Sequence, residues 1–484
     1  MMTEPSIAAI HAAMQRGQLT SRQLVQDCLQ RIEAYDQQGP RLNVVIRLNP
    51  RALELADELD GKLSRSGLVG PLHGIPILLK DNIDTADLPT TAGSVCLSKH
   101  QPQQDAFLVK RLKAAGAIVL AKVNLHEFAV WGETVSSLKG QTLNPYDLTR
   151  TPGGSSGGTG AGVAAGFGVA GIGTDTVNSV RSPASANSLV GIRPTTGLVS
   201  RAGLVPYSFT QDTAGPICRN VADAALLLEV MAGYDPADPR TAWSVGNIPP
   251  EGYTPTIADN QLCGCRLGIL NSLFGKGVEH AKVNAAIHTC LVQMQEMGAA
   301  LVELAEPLDS VRLAGEVSVH LFDLERDLNS YLKNLEPTAP AHSLQEVVDS
   351  GLFHPGIAAN LQQALAMKTD SLAYLQRLRE QDRLKERLLD IMATHRLDAL
   401  VFPHQQRLVV KIDESQVERN GVLASVTGFP SITIPAGFSV PSATAPLGVP
   451  IGIEFLGRPW SERTLIGLAG ALEQAMPVRK APIL

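Results

Sequence analysis

The sequence predicts an α/β fold, a central mixed β-sheet surrounded by α-helices, and three observations carry that expectation. From about residue 70 onward, short apolar runs alternate with amphipathic stretches, the rhythm of strands covered on both faces by helices. Glycines, prolines and capping residues separate the runs, which bounds them as distinct elements. Hydrophobic residues make up 44% of the 484 and charged residues 18%, a balance that supplies a large core and argues against a disordered or fibrous chain.

Residues 1–65 read as an N-terminal helical layer. Thr20 stands at an N-cap with Gln23 in the capping-box position, ahead of Leu24, Val25, Cys28, Leu29 and Ile32 at helical spacing. A second helix is expected with Asn49 as N-cap, Pro50 as its first residue and Gly61 as its stop. Strands are expected over 75–79, 117–121, 169–172, 267–270, 300–304, 397–402, 431–434 and 451–455. Between them Asp105 opens a helix that Gly116 ends, Asn220 opens one that Gly233 ends, and Ser461 opens the last. Residues 311–395 carry few glycines and strong helical periodicity, with many charges over 377–387. They read as a helical insertion or cap, either a solvated layer or a wall over a substrate pocket. The whole is read as one domain, 1–484, with its core over 70–235.

Net charge is −6 and the basic residues are scattered, which gives no footprint for nucleic acid or an acidic membrane. No apolar stretch is long and uninterrupted enough to span a bilayer, and Met1-Met2-Thr3-Glu4-Pro5 lacks the basic and apolar regions of a signal peptide. A cytoplasmic protein acting on a small molecule is expected, with homo-oligomerisation left open. Cys28, Cys96, Cys218, Cys263, Cys265 and Cys290 mostly sit in apolar runs, as reduced core cysteines do. Cys263-Gly264-Cys265 has no second Cys or His pair at zinc-ligand spacing, so no metal is expected.

The chemistry concentrates in Gly153-Gly154-Ser155-Ser156-Gly157-Gly158 and in Asp175-Thr176-Val177-Asn178-Ser179-Val180-Arg181. Glycine lets backbone N–H groups approach a reacting atom, and serine supplies a hydroxyl that attacks or relays a proton. Three readings compete. Gly160-Ala161-Gly162 with Ala165 is like a dinucleotide fingerprint, but a turn at Asn144-Pro145-Tyr146-Asp147 precedes it and no Gly-Lys-Ser/Thr follows. Gly153 to Gly157 satisfies Gly-x-Ser-x-Gly, with His395 or His404 downstream, yet Thr149-Arg150-Thr151-Pro152 does not read as the strand a nucleophile elbow needs.

The third reading covers nearly the whole chain. Gly74-Ile75-Pro76-Ile77-Leu78-Leu79-Lys80-Asp81-Asn82, then 152–158, then Gly173-Thr174-Asp175-Thr176 through Arg181, resemble the amidase signature family. Thr91-Ala92-Gly93-Ser94, 116–128, Asp212-Thr213-Ala214-Gly215-Pro216 and 448–459 add matches in the family's order. The resemblance implies an amidase working through a Ser-cisSer-Lys unit without cofactor. By position its catalytic lysine falls on Lys80, its cis-serine on Ser155 and its nucleophile on Ser179. Its oxyanion hole falls on the backbone N–H groups of Thr176, Val177, Asn178 and Ser179, with Ser156, Asp175 and Arg181 in supporting places.

Taken alone, a lysine at a strand end is usually solvated, and such serines are turn or cap residues. Lys80 ends an unusually apolar run, however, and desolvation favours the neutral amine. The sequence departs from the family where a small residue plus glycine usually precedes the nucleophile, for here stand Val177 and Asn178. Valine resists positive φ, so Val177 is expected at negative φ, with both side chains reshaping the acyl pocket. His73, His126 and His404 are expected as structural histidines, and Phe128 and Trp131 as core rather than pocket lining. Two alternatives stand beside the amidase: the A subunit of a glutamyl-tRNA amidotransferase, which works with a partner, and a non-catalytic ligand-binding homologue whose altered loop has closed the hole.

Overall fold

The computed structural model describes residues 4–254 and 262–484, so the start at Met1, Met2 and Thr3 lies outside the described residues. The strands are β1 (Val45–Leu48), β2 (Pro76–Lys80), β3 (Ile118–Val123), β4 (Val135–Ser136), β5 (Gly140–Gln141), β6 (Ala170–Asp175), β7 (Val190–Arg193), β8 (Thr213–Cys218), β9 (Arg266–Leu270), β10 (Ala300–Leu304), β11 (Ala399–Pro403), β12 (Ser431–Phe438) and β13 (Pro450–Leu456). Eleven of them form one sheet in the order β1-β3-β2-β6-β8-β7-β12-β13-β11-β9-β10, while β4 and β5 make a separate hairpin. The sheet is mixed: β2 runs parallel to β3 and β6, and β9 parallel to β10 and β11, whereas β6, β8, β7, β12 and β13 alternate in direction.

The period of two along a strand explains how both faces fill. Ile77 and Leu79 of β2 join one apolar cluster with Val119, while Leu78 joins another with Ile118 and Leu120. All five residues of β2 are buried, and each large apolar side chain so placed contributes roughly 2 kcal/mol relative to exposure. One face is covered by helices Val221–Met231, Ala281–Glu296 and Glu462–Ala475, whose apolar residues belong to the first cluster. The other is covered by Ser21–Ile32, Ala52–Ser66 and the glycine-rich Gly157–Ala164. That last helix is buried throughout. A Cβ on its Gly158 would lie 2.2 Å from the Asn124 carbonyl oxygen, so the helix backbone rests directly on the chain leaving β3.

All eight expected strands are present, within a few residues of their predicted bounds. The Thr20 capping box forms with Gln23, and Asn220 caps its helix through Asp223 N. Other expected ends are corrected. The helix expected from Pro50 begins at Ala52, because Asn49 turns its side chain to Arg51 N and the Val119 carbonyl. Gly61 does not stop it. The helix runs on to Ser66, where Leu63 still packs on the core, and Gly67 at φ 83° ends it. Asp105 does not cap the helix Phe107–Ala114; its carboxylate binds Ala86 N and Lys113 instead. Ser461 stands at the last N-cap but donates to the Arg458 carbonyl. The N-terminal layer is not purely helical, since it supplies edge strand β1.

Residues 311–395 fold mainly as helices His320–Leu332, Leu344–Ser350, Ala358–Ala366 and Leu372–Thr394. Glu127 ties this layer to the core, accepting from His354 N at 2.8 Å and from Ser137 N at 2.8 Å. No helix among the described residues is long and apolar enough to cross a membrane. All six cysteines are free, five buried and Cys263 exposed.

Candidate active site

Parallel pairing of β2 and β6, with Leu79 opposite Ile172, brings the C-terminal ends of both strands to the same edge, where open α/β sheets place their ligands. Lys80 ends β2 there. Its Nζ lies 2.7 Å from Ser155 Oγ, 2.8 Å from Thr174 Oγ1 and 3.3 Å from the Thr174 carbonyl oxygen. Asn82 Nδ2 donates to the same Thr174 hydroxyl at 3.0 Å. Lys80 is fully buried and forms no ion pair among the described residues. Burial pulls its pKa down to about 7, against the opposing pull of the more distant Asp175 and Asp212.

Ser155 is reached through a cis Gly154–Ser155 peptide. The bend before it uses Gly153 at φ 70°, where a Cβ would stand 2.9 Å from the Ser182 carbonyl oxygen. The Ser155 carbonyl accepts from His126 N at 3.0 Å. Ser156 joins the two halves of the site: its N–H donates to the Ser179 carbonyl at 3.3 Å and its hydroxyl to the Thr174 carbonyl at 3.2 Å.

The loop after β6 is polarised in a particular way. All four of its carbonyl oxygens are occupied: Thr176 by Gln211 Nε2 at 3.1 Å, Val177 by Ser425 Oγ at 2.5 Å and Arg181 Nη2 at 3.1 Å, Asn178 by Ser182 N at 2.7 Å, and Ser179 by Ser156 N. The N–H groups of Thr176, Val177, Asn178 and Ser179 have no acceptor among the described residues. Neither Val177 nor Asn178 takes a positive φ, as expected for the valine, so substitution of the usual small residues leaves the donors available. Such donors, when preorganised, are worth on the order of 3 kcal/mol each toward developing charge.

A buried network fixes this loop. Arg181 forms a two-pronged pair with Asp175, with bonds of 3.0 and 3.1 Å, and Arg193 adds a third contact to Asp175 at 2.8 Å. Burial alone raises the Asp175 carboxyl, but Arg181 and Arg193 outweigh it and hold the group well below the usual carboxylate range. Arg181 also pairs with Glu454, whose other oxygen lies 2.6 Å from His404 Nδ1. Asp175 and Arg181 thus stand at the two ends of the loop, paired with each other. Of their partners, Arg193 and Ser425 carry no local signal, while Glu454, and Asn82 and Thr174 beside Lys80, stand inside the matched segments but make bonds that span 92 to 273 residues of chain.

Ser179 opens onto a cavity of about 320 Å³ that Val177 and Asn178 also line. Its hydroxyl makes no hydrogen bond among the described residues, so the Lys80–Ser155 contact is formed while Ser155 and Ser179 are not bonded to each other. The helical insertion supplies one wall through Leu321, Met367 and Arg377, while its Glu380, Asp382 and Arg383 face outward. The segment thus presents a cavity wall on one face and charged side chains on the other. Phe128 is core, as expected, but Trp131 lines the cavity, which corrects its expected place. His73 and His126 accept backbone N–H groups of Val69 and Glu133, and burial drops the His126 pKa to about 3. These histidines and His404 sit in structural contacts, none of them lining the cavity.

Fold and comparison agree on the class, a hydrolase of carbon–nitrogen bonds. The family model described as Amidase matches residues 23–466, and the chain belongs to this family. The crystal structure of native peptide amidase from Stenotrophomonas maltophilia superposes with a TM-score of 0.89 at 38% identity, covering 99% of each chain. A probable amidase of Arabidopsis thaliana is 34% identical over 99% of this chain and 91% of its own. The A subunit of the glutamyl-tRNA(Gln) amidotransferase of Chloroflexus aggregans is 32% identical over 97% of this chain and 96% of its own.

Proposed function

We propose that this protein hydrolyses a carboxylic amide to an acid and ammonia or an amine, through an acyl-enzyme on Ser179. The observation that carries this reading is the 2.7 Å contact of Lys80 with Ser155 in a fully buried setting where the amine's pKa falls to about 7. As a neutral amine, Nζ has two N–H bonds, which the Thr174 carbonyl and hydroxyl oxygens accept. Its lone pair then remains for the Ser155 O–H. Ser155 passes its proton to Lys80 while taking one from Ser179, which attacks the amide carbon. The tetrahedral oxyanion is met by the unpaired N–H groups of Thr176, Val177, Asn178 and Ser179. The proton returns through Ser155 to the leaving nitrogen, and water activated along the same path then releases the acid.

The availability of those N–H groups argues against a ligand-binding homologue with a closed hole. The likeness to peptide amidase, at 38% identity over 99% of both chains, favours a stand-alone hydrolase acting on a peptide-like amide over a glutaminase that hands ammonia to a partner. A fluorophosphonate is expected to add once to the purified chain at Ser179, read by intact mass and peptide mapping. The adduct should be absent from Ser179→Ala, and purified wild type alone should release ammonia or amine from amides. Labelling that survives in Ser179→Ala refutes the assignment.

A further inference from the structure

Four charged groups border or approach the cavity, and three are already engaged. Arg377 donates to the Ser318 and Gly315 carbonyls at 2.6 and 2.5 Å and lies over the Phe322 ring. Glu418 accepts from Arg407 at 2.6 Å and contacts His280 at 3.2 Å. Glu133 accepts from Gln416 N at 2.8 Å. Arg419 differs. Its guanidinium carbon lies over the Trp131 ring, 4.7 Å from the centroid, and the group forms no hydrogen bond or ion pair among the described residues, with Glu133 and Tyr207 acting on it only through space.

A second observation points the same way. Both polar side-chain atoms of Asn178, the residue before Ser179, are buried without a partner, and Asn178 lines the cavity. A buried amide with all its bonds unmade calls for a partner. Much of the remaining lining is apolar, including Val130, Val177, Leu321 and Met367. The indole face beside the cation leaves the N–H donors of Arg419 unspent, and a guanidinium fork suits a planar oxygen acceptor.

We propose that Arg419, seated over Trp131, and Asn178 form a subsite that reads an oxygen acceptor in the acyl part of the substrate. The substrate class is an amide whose otherwise apolar acyl group carries a second carbonyl or carboxylate oxygen. This deepens the amidase reading and rests on it. A guanidinium offers its donors in a fixed fork, so it discriminates by position as well as by charge.

The test compares kcat/KM for three amides of similar length: hexanamide, an N-acetyl amino-acid amide, and the monoamide of a dicarboxylic acid. In Arg419→Met, the preference for either oxygen-bearing amide over hexanamide is expected to fall about 10- to 100-fold, the scale set by leaving a site's polar group unpaired. Arg419→Lys keeps part of the preference if the natural acceptor is a carboxylate and loses it if the acceptor is a carbonyl, because lysine keeps the charge but not the fork. Preferences unchanged in Arg419→Met overturn the subsite. Should wild type hydrolyse none of the three, the amidase reading fails instead. Calorimetric binding of the N-acetyl amino-acid amide and the monoamide then decides the subsite, since equal affinity of both for wild type and Arg419→Met overturns it.

Discussion

Two buried lysines stand on neighbouring strands, and the protein treats them differently. Lys80 ends β2 and Lys122 lies on β3, opposite Leu79, and both are fully buried. Lys122 is given a carboxylate, with Asp81 Oδ1 3.2 Å away, besides the Thr90 hydroxyl at 2.8 Å and the Pro89 carbonyl at 3.0 Å. Lys80 is given only hydroxyl and carbonyl oxygens. Burial lowers both amines, but Asp81 opposes it at Lys122 by direct contact, whereas Asp175 and Asp212 oppose it at Lys80 only from a distance. Equal burial therefore yields a structural ion pair on one strand and, on the next, an amine without a carboxylate partner, the group proposed as proton acceptor. The partner, more than the depth, decides what a buried amine does.

Exchanging each lysine for methionine separates the two roles. Lys80→Met is expected to lower kcat/KM by about 10⁴-fold, the upper range for loss of a general base, while the fold survives because no carboxylate is stranded. Lys122→Met leaves Asp81 buried without its cation and is expected to cost about 3–5 kcal/mol of stability, measured by urea unfolding, with a far smaller effect on turnover. Comparable rate losses in both variants would dissolve the distinction.

The comparison also carries a pH signature. Only neutral Lys80 can take a proton, and its fraction grows as pH rises through about 7. Expected is a kcat/KM that falls about tenfold per pH unit well below 7 and levels above it. A profile flat from pH 5 to 9 would place the base elsewhere. The smallest effect concerns the loop opposite. Val177→Gly removes a cavity-lining side chain while leaving the backbone donors in place. Selectivity between small and bulky acyl groups is expected to shift by about tenfold, read from relative kcat/KM across an amide panel.

Only the Lys80 side of this contrast was legible in the sequence, where Lys122 drew no reading, and what was not legible has identifiable causes. The long apolar runs, such as the one ending at Lys80, announced their strands because burial on both faces demands them. β8 was hidden because Gly215 and Pro216 sit within a central strand, where proline ordinarily argues against one. β1 (Val-Ile-Arg-Leu) and β7 (Val-Gly-Ile-Arg) were hidden because an arginine, and in β7 a glycine as well, breaks the apolar run. Gly61 misled because packing further along a helix outweighs a glycine cost of about 1 kcal/mol. Lys80, Ser155 and the loop through Ser179 were readable because each lies in a continuous motif. Ser425 was not, and Glu454, though inside the matched segment 448–459, gave no sign of its pairing with Arg181, since both reach the loop from more than 240 residues away.

The order of strands carries a last consequence, for how the protein is made. β7 joins β12 at the middle of the sheet, and the clasp on the Val177 carbonyl and on Arg181 arrives with Ser425 and Glu454. A nascent chain that has emerged only as far as residue 235 holds Lys80, Ser155 and Ser179, yet its β7 is an open edge and its reactive loop has no clasp. Translation must deliver β12 and β13 before the edge is paired and the clasp can form, and in the interval β7 is an open strand of the kind that invites misassociation.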